Sequence, residues 1–232
     1  MTTPERFPDV MLLAAGLGLR MRPLTEKQPK PLIPIAGMAL IDRVIANARA
    51  EGAKRFVVNS HHHAQQIEDH FADRADVRVL FEAQLLDTGG GVQNALPYIE
   101  TDPILVMNTD AFWPGGVDRP LTRLIACHRA SQAAATLLCV QPLRATGFAR
   151  SHDFCLDPLG RITLDYGRPV IYAGVALIAR SLFEEAPEAP FSLVKLFEKA
   201  LAADRLAGAI LDASWFHVGD PQAVAAAEEA LG

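Results

Sequence analysis

Cysteine is scarce in this chain. Its 232 residues include three, Cys127, Cys139 and Cys155, an odd number set far apart in apolar segments, which argues against a disulfide framework and against a cysteine-based zinc site. They are expected as buried core residues. Positive charge is also short: 22 Lys and Arg stand against 27 Asp and Glu, for a net −5, and the cations do not run in blocks. A general nucleic-acid surface is therefore not expected, whereas a small anionic ligand is compatible with this balance. No stretch holds 18 uninterrupted apolar residues, and the opening MTTPERFPDV has neither a basic start nor an apolar run. Neither a signal peptide nor a membrane span is expected, and the expected compartment is the cytoplasm. Repeats, low-complexity tracts and linkers long enough to divide the chain into separate domains are missing too. What remains, a half-hydrophobic chain with 16 Gly and 16 Pro, fits one domain over residues 1–232 with a real core.

Along the chain, short apolar runs alternate with amphipathic segments. Residues 10–15 end in Gly16 and precede a polar, Pro-rich stretch over 20–34 and the helical LIDRVIANARAEG. RFVVNS, VRVLFEA and PILVMNTD read as strands, AQQIEDHFAD as a helix, and GGGVQNALPYI as a loop and helix. This alternation predicts an α/β fold, a Rossmann-like three-layer sandwich with a mainly parallel central sheet. After Asp110 come a helix near residues 121–129, the strand TLLCVQP, and FCLDPLGRITLDY, whose DPLG turn between alternating runs predicts a small β-hairpin region. VIYAGVALI follows as a strand and AILDASWFHVG as a strand or pair of strands, SLVKLFEKALAA and PQAVAAAEEAL as helices. The connection over 20–34 is longer than structureless loops usually run, so chemistry is sought there.

LLAAGLGLRMRPLT sets Gly16 and Gly18 directly after a strand, where backbone without Cβ atoms can bring N–H groups to phosphate oxygens. Arg20, Arg22, Lys27 and Lys30 follow in the same loop, a cation set suited to a triphosphate. The glycine pair alone is equally an ordinary turn, and with Met21 three residues after Gly18 it is not the dinucleotide fingerprint. Asn108 and Asp110 end a strongly apolar strand, where open α/β sheets bind ligands, and an Asp there can hold Mg²⁺ or merely cap a turn. Gly89, Gly90 and Gly91 open a helical segment and offer bare backbone to a base or a sugar, unless they only loosen a loop. His61, His62 and His63 are consecutive, a poor arrangement for one ion, and are expected in a solvated loop.

Together these segments resemble the sugar-1-phosphate nucleotidyltransferases over almost the whole chain. LLAAGLGLRMRPLTEKQPKPLIPIAG is similar to that family's signature, with its GxGxR core at Gly16, Gly18 and Arg20 and its PKP at Pro29, Lys30 and Pro31. LDTGGGVQNALP resembles the LETGGG segment of a short uridylyl-transferring branch in peptidoglycan recycling that has no C-terminal β-helix domain. The resemblance implies a nucleotide-binding region over about 8–115 and a sugar-binding region over about 116–220. It implies Arg20, Lys30 and Asp110 as catalytic residues. Leu13, Ala14, Ala15, Gly16, Gly18, Glu82, Thr88, Gly89, Gly90 and Asn108 would then line the nucleotide with Arg20 and Lys30. Asn108, Asp153, Arg168, Tyr172 and Gly174 would hold the sugar phosphate. A nucleoside triphosphate and a sugar 1-phosphate are the implied partners, Mg²⁺ or Mn²⁺ the implied cofactor, with no nucleic acid, no membrane, and a monomer or loose homodimer as the state.

Three positions depart from the family's pattern. WFHVGDP places His217 where a second metal-binding Asp usually stands, so His217 or Asp220 is the candidate second ligand. Arg168 replaces a lysine before Pro169, and His152 replaces a glycine before Asp153. An acceptor bearing an extra carboxylate would want a cation, and Arg150 and Arg168 are candidates by position. Sister enzymes using mannose 1-phosphate with GTP, or glucose 1-phosphate with UTP or dTTP, share the phosphate contacts. A non-catalytic nucleotide-binding regulator is the remaining alternative, motivated by His217.

Overall fold

The computed structural model describes residues 6–116 and 119–231; residues 1–5 of the N-terminal segment considered above lie outside them. Nine strands form one sheet: β1 Val10–Leu13, β2 Phe56–Ser60, β3 Val77–Phe81, β4 Ile104–Asn108, β5 Ala135–Val140, β6 Phe154–Leu156, β7 Ile162–Thr163, β8 Arg168–Ile178 and β9 Leu206–Leu211. Their order is β7-β6-β8-β4-β1-β2-β3, with β5 on β8 and β9 on β5. The β1, β2, β3 and β4 pairings are parallel, as is β5 with β9, while β8 runs antiparallel to β4 and β5.

Both faces of the sheet are buried, which is why its strands are nearly continuous apolar runs. Val10 and Leu12 pack on one face and Met11 on the other, the two-residue period of a strand. The first face is covered by α1 Leu40–Glu51, α2 Ala64–Phe71, α4 Pro120–Ser131 and α6 Pro221–Leu231; the second by α3 Asp87–Ala95 and α5 Val194–Ala202. Helix α1 presents Leu40, Ile41, Val44, Ile45 and Ala48 as one buried stripe. Its last residue, Glu51, accepts hydrogen bonds from the Leu121 and Thr122 N–H groups at 3.0 and 2.7 Å, capping α4 beside Pro120. The expected three-layer α/β sandwich is the observed fold, and no helix among the described residues is long and apolar enough to cross a membrane.

Several local expectations change. The stretch over 20–34 is wound into three short 3₁₀ turns, Leu19–Met21, Leu24–Glu26 and Lys30–Leu32, and the two-residue strands Pro34–Ile35 and Met38–Ala39 follow. Thr25 is buried among these turns, and its hydroxyl donates to the Gly18 carbonyl at 2.8 Å. The glycine triplet lies inside α3, not in a loop before it. The hairpin β6–β7 does not stand apart; β6 pairs with the first residues of β8 and so continues the central sheet. Cys139 and Cys155 are buried as expected, but Cys127 is only half-buried. The three histidines are half-buried: His61 contacts the Glu82 carbonyl and His62 the Thr25 carbonyl, while His63 precedes α2 with its Nε2 buried and unpartnered.

Candidate active site

A cleft of about 710 Å³ opens at the carboxyl ends of β1 and β4, the end at which open α/β sheets hold ligands. Leu13, Ala14, Ala15, Gly16 and Gly18 form one wall. Gly18 has φ +60°, and a Cβ there would stand 2.8 Å from the Thr25 methyl, so this turn requires glycine. The turn that follows brings Arg20 to the cleft, and Lys30 joins it from the third turn. Arg22 and Lys27 do not reach the wall, so two of the four loop cations face this space.

Asp110 follows β4. One of its oxygens, Oδ2, lies 2.6 Å from Lys30 Nζ and 3.7 Å from His217 Nε2; the other, Oδ1, is buried without a partner. Burial pushes the Asp110 carboxyl up, but Lys30 and His217 outweigh it and hold the group below the usual carboxylate range. The same carboxylate, acting against burial, holds the His217 imidazole above its ordinary value. His217 sits on the short strand Trp215–His217, paired with Ala111–Phe112, and its Nδ1 faces the Gly147 carbonyl at 3.1 Å. With Nδ1–H donating there, Nε2 is left toward Asp110. Of the two candidates for a second ligand, His217 is the one that stands beside Asp110. Asp220 is committed elsewhere, its Oδ1 accepting the Ala223 N–H at 2.8 Å at the start of α6.

On the opposite wall, Glu82 is buried and fully engaged. Its Oε1 accepts from Asn59 Nδ2 at 2.7 Å and its Oε2 from the Leu86 N–H at 3.2 Å, while Asn59 Oδ1 accepts the Ala14 N–H at 2.7 Å. This chain of bonds ties the end of β1 to the segment before α3. Asn59 lines the cleft and was not singled out from the sequence; the signal was a polar residue near the carboxyl end of an apolar strand. Thr109 is a second such residue, its hydroxyl donating to the Leu13 carbonyl at 2.8 Å. Thr88 lines the cleft, but Gly89 and Gly90 do not. Their N–H groups both donate to the Phe191 carbonyl, at 2.8 and 3.1 Å, so the idea of bare backbone open to a base is corrected. The triplet is small for packing: a Cβ on Gly89 would stand 2.3 Å from the Phe191 ring, and one on Gly91 2.7 Å from Asn59 Nδ2.

Thr88 and Asn108 also line a second cavity of about 300 Å³, with Arg150, Asp153, Tyr172 and Phe197 among its other walls. Gly174 has φ +78° at the irregularity in β8, and a Cβ there would meet the Asn108 Cβ at 3.1 Å. Asp153 Oδ2 accepts the Tyr172 N–H at 3.0 Å, and the Tyr172 hydroxyl is buried without a partner. Arg168 is exposed at the start of β8 and lines neither cavity, so its expected contact with a sugar phosphate has no support in the geometry.

Residues 9–149 match the profile of the family described as nucleotidyl transferase. The chain is 34% identical to the N-acetylmuramate alpha-1-phosphate uridylyltransferase of Caulobacter vibrioides, over 95% of this chain and 96% of that protein. It is 29% identical to the protein of the same name from Neisseria meningitidis serogroup B, over 90% and 92%. Among solved structures, it resembles HddC of Yersinia pseudotuberculosis complexed with GMP-PN, with TM-score 0.77 and 21% identity over 97% of this chain and all of that one.

Proposed function

Because this chain belongs to the nucleotidyl transferase family, we propose that it transfers the uridylyl group of UTP to N-acetylmuramate α-1-phosphate, giving UDP-N-acetylmuramate and pyrophosphate. The observation that carries the reading is the meeting of Arg20, Lys30 and Asp110 in one cleft whose Asp110 wall continues, through Asn108 and Thr88, into a second cavity. Donor and acceptor then occupy adjoining spaces. Full-length likeness to two uridylyltransferases supports the base and the sugar.

In this reading an oxygen of the sugar phosphate attacks the α-phosphorus of UTP in line. The bond from that phosphorus to the bridging oxygen breaks, and pyrophosphate departs with the electron pair. No side chain needs to become a nucleophile. The protein's work is to hold two polyanions within about 3 to 3.5 Å of reaction and to offset their charge, positioning alone being worth up to about 7 to 11 kcal/mol. Arg20 and Lys30 bind phosphate oxygens and stabilise the charge that gathers on the leaving group. Asn108 lies where the two substrates join.

Asp110 and His217 offer a divalent ion, Mg²⁺ or Mn²⁺, a carboxylate and an imidazole: Asp110 Oδ1 is without a partner, and His217, fixed through Nδ1, sets Nε2 3.7 Å from Oδ2. Bound there, the ion would supply Lewis-acid neutralisation of phosphate charge. Lys30 must then share Asp110 or turn to substrate phosphate.

The test is pyrophosphate release by purified protein with Mg²⁺ and UTP, using N-acetylmuramate α-1-phosphate, glucose 1-phosphate and mannose 1-phosphate in turn, with GTP and dTTP as alternative donors and Mn²⁺ as alternative metal. Release with UTP and the muramate sugar is the expected result. Release only with another pair moves the substrate, and tight UTP binding with no release under either metal overturns catalysis.

A further inference from the structure

Among the described residues, the second cavity has one cation in its walls, Arg150. Its guanidinium Nη2 lies 2.5 Å from Asp153 Oδ1, and its Cζ stands 5.4 Å from the centre of the Phe148 ring. Asp153 is itself pinned: its other oxygen accepts the Tyr172 backbone N–H, and its side chain is 10% exposed against 73% for Arg150. Asp153 therefore tethers a mostly solvated arginine to the rim of the cavity. A guanidinium carries five N–H donors in a fixed fork. The contact with Asp153 uses one nitrogen, so the group has donors left for a second carboxylate while the tether holds.

We propose that Arg150 determines acceptor specificity by binding a carboxylate that the sugar carries in addition to its phosphate, here the lactyl ether of muramate. The inference rests on the acceptor class given above. Neutral sugar 1-phosphates offer nothing for this contact, and in water-exposed surroundings an arginine without its second anion loses little. Selectivity thus comes from one charge-assisted contact at the rim, while the phosphate contacts in the cleft are common to every acceptor. The chain's other positional candidate, Arg168, lines neither cavity.

The experiment compares kcat/KM for N-acetylmuramate α-1-phosphate and N-acetylglucosamine α-1-phosphate, which differ by the lactyl group alone, in the unaltered enzyme, Arg150→Met and Arg150→Lys. The ratio of the two values should fall about 10- to 100-fold in Arg150→Met, mainly through KM for the muramate sugar, with Arg150→Lys between. A ratio unchanged in Arg150→Met, or equal losses for both acceptors, overturns the assignment while leaving the uridylyl-transfer reading intact. An unaltered enzyme that turns over the second sugar but not the first overturns both the acceptor reading and this one. Circular dichroism of the variants checks that the fold survives.

Discussion

Lys30 Nζ and Asp110 Oδ2, from residues eighty positions apart, meet at 2.6 Å across the cleft. The lysine comes from a 3₁₀ turn in the long connection after β1 and the aspartate from the segment after β4. Folding thus assembles a compact ion pair at the point where triphosphate charge would gather. Such a pair does little for stability when largely buried, since loss of solvation offsets much of its attraction. Under the proposed function its value would lie in holding a cation and an anion in place for a ligand that separates them.

Asp110→Ala should abolish pyrophosphate release while circular dichroism and the thermal transition show a folded protein. Lys30→Met should lower kcat by about 10²-fold or more with a smaller rise in KM for UTP, as expected of a contact that strengthens in the transition state. Steady-state kinetics over a Mg²⁺ titration checks both. Substantial turnover by Asp110→Ala at saturating Mg²⁺ would remove this residue from the proposed metal site.

Gly89→Ala is a packing test. The added methyl would meet the Phe191 ring at 2.3 Å and the Phe191 carbonyl at 2.9 Å, so either the segment around Phe191 or the start of α3 must move. A destabilisation of about 1 to 3 kcal/mol is expected from the urea midpoint. Because Thr88 accepts the Leu193 N–H at 2.9 Å, the same shift should raise KM for both substrates. Unchanged stability would mean that the Phe191 segment yields freely.

His128 gives a pH prediction away from the cleft. It is buried against Thr136, with Nδ1 2.9 Å from the hydroxyl, and burial lowers its affinity for a proton despite Asp102 nearby. Its folded pKa lies below the unfolded value of about 6.5, so between the two the unfolded chain binds more protons and stability falls as pH drops. Above about pH 7.5 the residue contributes no slope. Urea midpoints at about pH 8 and pH 5.5, on either side of that unfolded value, should therefore converge more in His128→Gln than in the unaltered protein, and parallel losses in the two would refute it.

How much of this was legible in the sequence depends on whether the signal was local. Strand and helix order followed from alternation because each apolar run is buried on both faces and each helix carries one stripe, as in α1. The GxGxR turn, the loop cations and Asp110 after the strand Ile104–Asn108 were legible only as a set, because a glycine pair after a strand is equally an ordinary turn and a single Asp there as readily caps one. Residues 89–91 misled, since small side chains serve a tight approach as readily as an open one, and the partner, Phe191, lies a hundred residues on. Asn59 was passed over because its role is to join β1 to Glu82, a relation between three strands that no single segment displays. That α6 starts beside Asp220 and uses its carboxylate, while His217 faces Asp110, is likewise a relation that the WFHVGDP segment alone does not display.

Thr88 and Asn108 line both cavities, and this common wall bears on how the molecule empties. Under the proposed function, a nucleotide sugar formed across it would depart as one body spanning the two spaces, whereas pyrophosphate would leave from the Arg20 and Lys30 side alone. The sugar nucleotide would then exclude donor and acceptor at once, and pyrophosphate only the donor, so accumulation of finished product would throttle the enzyme from both directions.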